Sequence, residues 1–197
     1  MSQAALTLIA DVKTRLRMDA FETKFDTLLT NFILSVSGRF EKECGRLFAR
    51  SAAATQEFPG DETELRVVRY PIESVTSFAL KTNETDGFVT QTGVDYLIRN
   101  ACVVSLPAAI GDWRQQLKLT FAGGYVLPAD TAEAGQTALP EDLEQACIDQ
   151  VAHFFASRDR LGLTSISGEG GSIQAFSKLD LLPHVAELIG RYRRYSL

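Results

Sequence analysis

Arginine and tyrosine crowd the end of this chain, where Arg191, Tyr192, Arg193, Arg194 and Tyr195 stand in succession. Such a cluster has three uses. Guanidiniums and phenols together anchor protein interfaces, where both types are enriched. Arginines in a last helical turn complement the negative end of the helix dipole. Guanidiniums also meet DNA phosphates. The dipole accounts for the arginines and leaves the tyrosines unexplained, so an interface ranks first, the dipole second and DNA third.

Other candidates for chemistry are thinner. Gly168-Glu169-Gly170-Gly171-Ser172 has the glycines of a phosphate cradle, but the Lys-Ser/Thr pair that should follow is missing and Lys178 is too distant. No G-x-S-x-G nucleophile elbow occurs. With only His153 and His184, a Ser-His-acid triad has few ways to be built. His153 stands beside Phe154 and reads as a packing or surface histidine. No C-x-x-C pair or ligand spacing marks a metal site. Glu41 with Glu43, and Asp130 with Glu133, read as solvated acids. These residues point away from catalysis, and to no metal and no cofactor.

Three blocks of elements must position whatever the chain does. The first is helical. Leu8 or Ile9, Val12 and Leu16 share one face of a short helix over 6–18. Asp19 with Glu22 has the spacing of a capping box, which predicts a second helix over 20–44. Its stripe runs Phe21, Phe25, Leu28, Leu29, Phe32, Ile33, Val36, Phe40 and stops at Gly45. At about 25 residues it would span roughly 37 Å. From Thr55 to Tyr125 the period changes to two, clearest where Leu117, Leu119 and Phe121 alternate with Lys118 and Thr120. Asn83–Gly87 is a hairpin-type turn, and about six short strands predict one antiparallel sheet or open barrel. Pro140 then opens a helix over 140–161, with Glu141, Asp142 and Glu144 at its positive end. Glycine- and serine-rich Thr164–Ser177 reads as a mobile loop, and Leu182–Tyr195 as the closing helix. The expected fold is α+β and mainly helical: a four-helix core of 1–50 and 138–197, with a β insert at 55–126, in one domain of 1–197.

Composition excludes several classes. A chain of 197 residues with 45% hydrophobic and 23% charged content can bury a core of its own. A net charge of −5 argues against general coating of nucleic acid, which needs a basic surface. Cys44, Cys102 and Cys147 are odd in number and lie among apolar neighbours, as buried thiols do in a reducing compartment. The N-terminal residues lack the basic and apolar regions of a secretion signal, and no apolar run has membrane-spanning length. Cytosolic assembly without a membrane partner is expected.

The order and spacing of five segments resembles the head–tail connector (adaptor) family of tailed bacteriophages. The first comprises Val12, Lys13, Leu16, Arg17, Asp19, Asp26, Leu28, Leu29, Glu41, Gly45, Arg46 and Phe48. The second is Tyr70-Pro71-Ile72 with Val75; the third is Gly123-Gly124-Tyr125. The fourth is Leu139-Pro140-Glu141-Asp142-Leu143 with Ala146, Val151 and Arg158, and the fifth runs from Leu188 to Arg193. The strand block is longer than in compact members. The resemblance implies a structural virion protein, not an enzyme. It implies a ring of identical subunits, a dodecamer, below the portal in the virion neck, assembled in the host cytoplasm. Such a ring extends the DNA channel, makes transient contact with DNA, and meets the portal and a head-closure, stopper or tail protein. Arg191, Tyr192, Arg193, Arg194 and Tyr195 are then expected to dock on the portal or a neighbouring subunit, with Arg17, Arg46 and Arg158 at the subunit interface. Removing the chain after Leu181 is expected to leave the sheet and the first three helices largely folded while abolishing portal attachment. A head-closure or tail-completion neck protein is the alternative within the virion. A small hydrolase-type enzyme, resting on the glycine loop and His153, is the alternative outside it.

Overall fold

The computed structural model describes residues 4–158, 165–167, 173–175 and 180–194. They form two compact units, one of residues 1–44 with 140–197 and the other Gly45–Leu139.

The helical unit holds α1 (Ile9–Leu16), α2 (Asp26–Cys44), α3 (Glu141–Ala156) and α4 (Pro183–Tyr192). The predicted stripes meet in its core: Val12 from α1, Leu29, Ile33, Val36 and Phe40 from α2, Leu143, Cys147 and Val151 from α3, and Val185 and Ile189 from α4. Phe25 adds an edge-on contact to Phe155, with ring centroids 5.2 Å apart. Since Val185 and Ile189 are almost fully buried, α4 is part of this core. The expectation that the other helices fold without it thus meets a helix that shares their core.

The second helix is shorter than its stripe predicts. The Asp19 carboxylate accepts from the Phe21 amide at 2.9 Å, forming a local turn in place of a helix cap. Residues 19–25 stay outside the helix, and Phe21 is 92% exposed. At the far end the stop is as expected, with Gly45 at φ +62° after Cys44. The third helix ends at Ala156, short of the predicted 161. Most of the predicted 164–177 loop, and the glycine run 168–172, lie outside the described residues. Inside it, β10 (Ser165–Ser167) and β11 (Ile173–Ala175) pair antiparallel.

The β unit holds β1 (Ser51–Pro59), β2 (Glu64–Arg66), β3 (Ile72–Lys81), β4 (Phe88–Gln91), β5 (Leu97–Arg99), β6 (Val103–Ser105), β7 (Gln116–Gly123), β8 (Tyr125–Val126) and β9 (Thr137–Ala138). The order β1-β7-β3-β4 makes one antiparallel sheet, and β2-β6-β5 makes another. Strands β8 and β9 form a short parallel pair. Alternation along β7 sends Leu117, Leu119 and Phe121 inward, as predicted. There they join Phe58, Phe78 and Leu80 of the same sheet and Leu65 and Val104 of the smaller one. One core thus serves two sheets.

The expectation of a mainly helical protein is overturned. Helix accounts for 32% and strand for 28%, so the protein is α+β with the two nearly balanced. The physical reasons lie in one turn and in the packing of the sheets. The Asx-type turn at Asp19 shortens the second helix. The period-two region builds strands of 9, 10 and 8 residues, longer than short-strand spacing implied. These need two layers, in place of one open sheet, to bury both rows of apolar residues.

Candidate docking surfaces

The C-terminal basic cluster is placed by two clasps within the helical unit. Gln150 on α3, a fully buried polar residue, holds the entrance to α4. Its Nε2 donates to the Asp180 carbonyl at 3.2 Å, and its Oε1 accepts from the Leu182 amide at 2.8 Å. The second clasp is at the exit. The last carbonyls of a helix have no partner inside it. Here the Arg194 amide donates to the Cys44 carbonyl at 2.7 Å and Arg193 Nε to the Glu43 carbonyl at 3.2 Å, closing the end of α2. A guanidinium at that end also faces the negative pole of the α2 dipole. The dipole reading of the arginines is thus partly realised, though on a neighbouring helix.

Tyr192 Oη donates to Asp142 Oδ1 at 2.6 Å, tying the same corner to the first turn of α3. Arg191 projects outward: its side chain is 70% exposed and meets Glu187 at 2.8 Å. The side chain of Arg193 is 56% exposed and reaches Glu43 Oε2 at 3.6 Å. Tyr195 lies outside the described residues. The structure thus gathers Arg191, Tyr192, Arg193 and Arg194 at one corner, made by the ends of α2 and α4 and the start of α3.

The three other arginines differ from that corner and from one another in role. Arg17 is exposed at the end of α1, with φ +55°. Arg158 lays its guanidinium 4.1 Å from the Phe155 ring and 5.4 Å from Phe25, and donates to the Phe155 carbonyl at 2.8 Å. Arg46 is 4% exposed inside the β unit. Its guanidinium carbon sits 3.3 Å from the Tyr70 ring centroid, 5.0 Å from Phe48 and 5.2 Å from Tyr125, and it donates to the Tyr70 carbonyl. Three aromatic faces and a carbonyl replace water around a cation that would otherwise be costly to bury.

Sequence reasoning missed two polar residues. Gln150 is one; no pattern marks a buried glutamine. Lys13 is the other, 5% exposed. Its ammonium donates to the Glu22 carbonyl at 2.7 Å and the Ala20 carbonyl at 3.4 Å, and pairs with Asp26 at 2.6 Å. It stitches the non-helical 19–25 segment to α1. A lysine directly after Val12 on the apolar face was the available signal.

Both units carry surface hollows. A recess of about 550 Å³ in the helical unit is lined by Asp11, Thr14, Arg15, Glu141, Glu144 and Gln145 among others. Partial burial raises the Glu144 pKa, and Asp11 and Glu141 raise it further against a weak hydrogen bond from Thr7. In the β unit Arg50 forms a two-pronged pair with Glu73, at 2.8 Å for each prong, which raises its proton affinity. His184 faces Asp149 at 3.6 Å, and His153 packs near Phe154. Among the described residues no group of three His, Cys, Asp or Glu is placed to hold a metal ion. Among them, too, no helix is long and apolar enough to cross a membrane.

No curated protein matches the chain. Among solved structures, a chain described as "Neck of empty GTA particle computed with C6 symmetry" superposes with a TM-score of 0.59 over 100% of this chain and 94% of the other, at 17% identity. That likeness is one of fold. The family model described as head completion protein matches residues 5–195, nearly end to end. With the five ordered segments and the clasped α+β architecture, this shows that the chain belongs to the head completion protein family, structural proteins of the head–tail connector.

Proposed function

We propose that the chain assembles into a ring at the portal vertex, extends the DNA channel there, and docks on the portal or on a neighbouring subunit through the corner formed by Arg191, Tyr192, Arg193 and Arg194. The observation that carries this is the outward projection of Arg191 and Arg193 from a corner whose backbone is fixed by neighbouring helices. A fixed base with exposed cationic tips loses little order on binding, which favours a protein partner with acidic groups. Arg17, exposed at the end of α1, and Arg158 are the remaining candidates for subunit contacts; Arg46, buried among aromatics, serves the packing of its own unit. The role is assembly, not turnover. The net charge of −5 suits a conduit that lets DNA pass without holding it.

Replacing Arg191 and Arg193 with glutamate tests this. Neither side chain is buried, and although Arg193→Glu gives up the hydrogen bond to the Glu43 carbonyl, the Arg194 amide still closes α2, so the fold should survive with an unchanged circular dichroism spectrum. Attachment to purified portal should fall by at least about tenfold, as loss of rim charge pairs does. Undiminished portal binding together with undiminished self-association would overturn the proposal. If DNA is the partner, the double variant instead weakens DNA binding with a shallower salt dependence and leaves portal binding unchanged.

A further inference from the structure

Trp113 is 74% exposed, a large apolar side chain left in solvent on the β unit. It stands on a rigid support. The turn after β1 and the turn before β7 are joined backbone to backbone: Gly60 donates to the Gln115 carbonyl at 2.8 Å and Gly111 donates to the Gly60 carbonyl at 2.9 Å. Within the second turn, Asp112 Oδ1 accepts from the Arg114 amide at 2.9 Å and Gln115 Oε1 from the Asp112 amide at 3.1 Å. A Cβ at Gly60 would lie 2.7 Å from the Asp112 carbonyl oxygen, so the two turns are as close as glycine permits. Beside the indole is a recess of about 350 Å³, bordered by Glu57, Phe58, Pro59, Arg114 and Gln116. Exposed Glu57 borders this recess, and exposed Asp61 and Asp112 follow Gly60 and Gly111 in the two joined turns, so the tip carries three acids with Arg114 beside them.

An exposed indole on a preorganised turn has the residue type and the rigidity of an interface hot spot. What covers it can be read from charge and ring chemistry. An acidic rim around an indole face suits an arginine, which pairs with carboxylate and stacks on the ring at once. The chain carries such arginines on the exposed corner of α4, and it already packs a guanidinium against aromatic rings at Arg46. We infer that the Trp113 tip of one subunit receives the Arg191 and Arg193 corner of a second copy. The contact is heterologous, joining two different surfaces, the kind of interface from which rings are built when its rotation closes. It rests on the assembly reading above and names the partner of that corner between subunits.

The test uses the full-length protein in sedimentation velocity across a concentration series, with portal binding measured in parallel. Wild type should self-associate. Trp113→Ala should weaken self-association about 30-fold, the loss expected of a central aromatic anchor, with an unchanged melting temperature. Arg191→Glu/Arg193→Glu and Glu57→Lys/Asp61→Lys should each be monomeric, and mixing these two variants should restore association through the swapped charges. A wild type that stays monomeric at its solubility limit, or a Trp113→Ala protein as associated as wild type, overturns the inference. So does failure of the charge-swapped mixture to associate. Normal portal binding by the Trp113→Ala protein separates the two proposals: it leaves the docking role standing whatever happens to subunit contacts.

Discussion

At the residue scale, the informative side chains are polar ones held by backbone. Lys13 neutralises Asp26 and satisfies two carbonyls of the segment between α1 and α2. Lys13→Met keeps the stem and deletes the charge, leaving those groups to find water. Because Asp26 is partly exposed, the cost should be about 2 kcal/mol, seen as a lower urea midpoint with an unchanged slope. An equal midpoint would show that the ammonium is dispensable. Glu144 gives a pH-dependent forecast. Its folded-state pKa is raised, so folding favours its proton; that contribution is present below the unfolded pKa and lost as pH rises through the folded one. At neutral pH the ionised side chain therefore costs stability. Glu144→Gln should raise the melting temperature slightly at pH 7 and have no benefit at pH 3. A larger gain at pH 3 would reverse the sign and refute the assignment. Cys147 is pushed up to about 12 by burial, so thiol reagents at pH 8 should leave it unlabelled in the folded protein, while half-exposed Cys102 reacts.

At the scale of elements, the junctions matter more than the helices and strands themselves. Gly123 and Gly124 show why. The Tyr125 amide donates to the Phe48 carbonyl and the Arg50 amide to the Tyr125 carbonyl, each at 2.7 Å, while the Gly124 amide donates to the Pro71 carbonyl at 2.9 Å. Three chain segments thus converge on one point. Gly124 has φ +102°, and a Cβ there would lie 2.7 Å from the Ala49 carbonyl oxygen. Gly124→Ala suffers twice, in strain and in collision, and should cost about 3 kcal/mol or more, read as loss of cooperative melting of the β unit. Full retention of stability would mean the strands part easily. For α4, the buried Val185 and Ile189 and the closure of α2 by Arg193 and Arg194 predict that truncation after Leu181 unfolds the helical unit. A truncated protein with unchanged helicity would instead make α4 an appended arm.

At the scale of the whole molecule, the β unit is one continuous stretch, Gly45–Leu139, with its own core. The helical unit is assembled from both ends of the chain. A fragment of residues 45–139 should therefore fold alone, giving a β-type circular dichroism spectrum and a single melting transition. An unstructured fragment would show that the strands need the helices to form. Assembly is the level at which the acidic, arginine-tipped molecule acts, and the charge-swap experiment addresses it.

Periodicity and order were legible from the residues alone. The apolar stripe of α2, the alternation of Leu117, Leu119 and Phe121 and the stop at Gly45 each depend on neighbours within a few residues, and the five-segment family pattern on their order along the chain. The family followed from that order. The tertiary structure decided what depends on contacts that no periodic pattern marks. Asp19 has the spacing of a helix cap, yet its carboxylate closes a turn, while Lys13 supplies the carbonyl contacts that stabilise the non-helical path. The balance of helix and strand departs from the local pattern for the same reason: a two-layer core can extend strands that local pattern leaves short. The Gly123-Gly124-Tyr125 step was visible as a motif, but its cause, three backbones meeting where a Cβ has no room, exists only after residues 49, 71 and 124 are brought together.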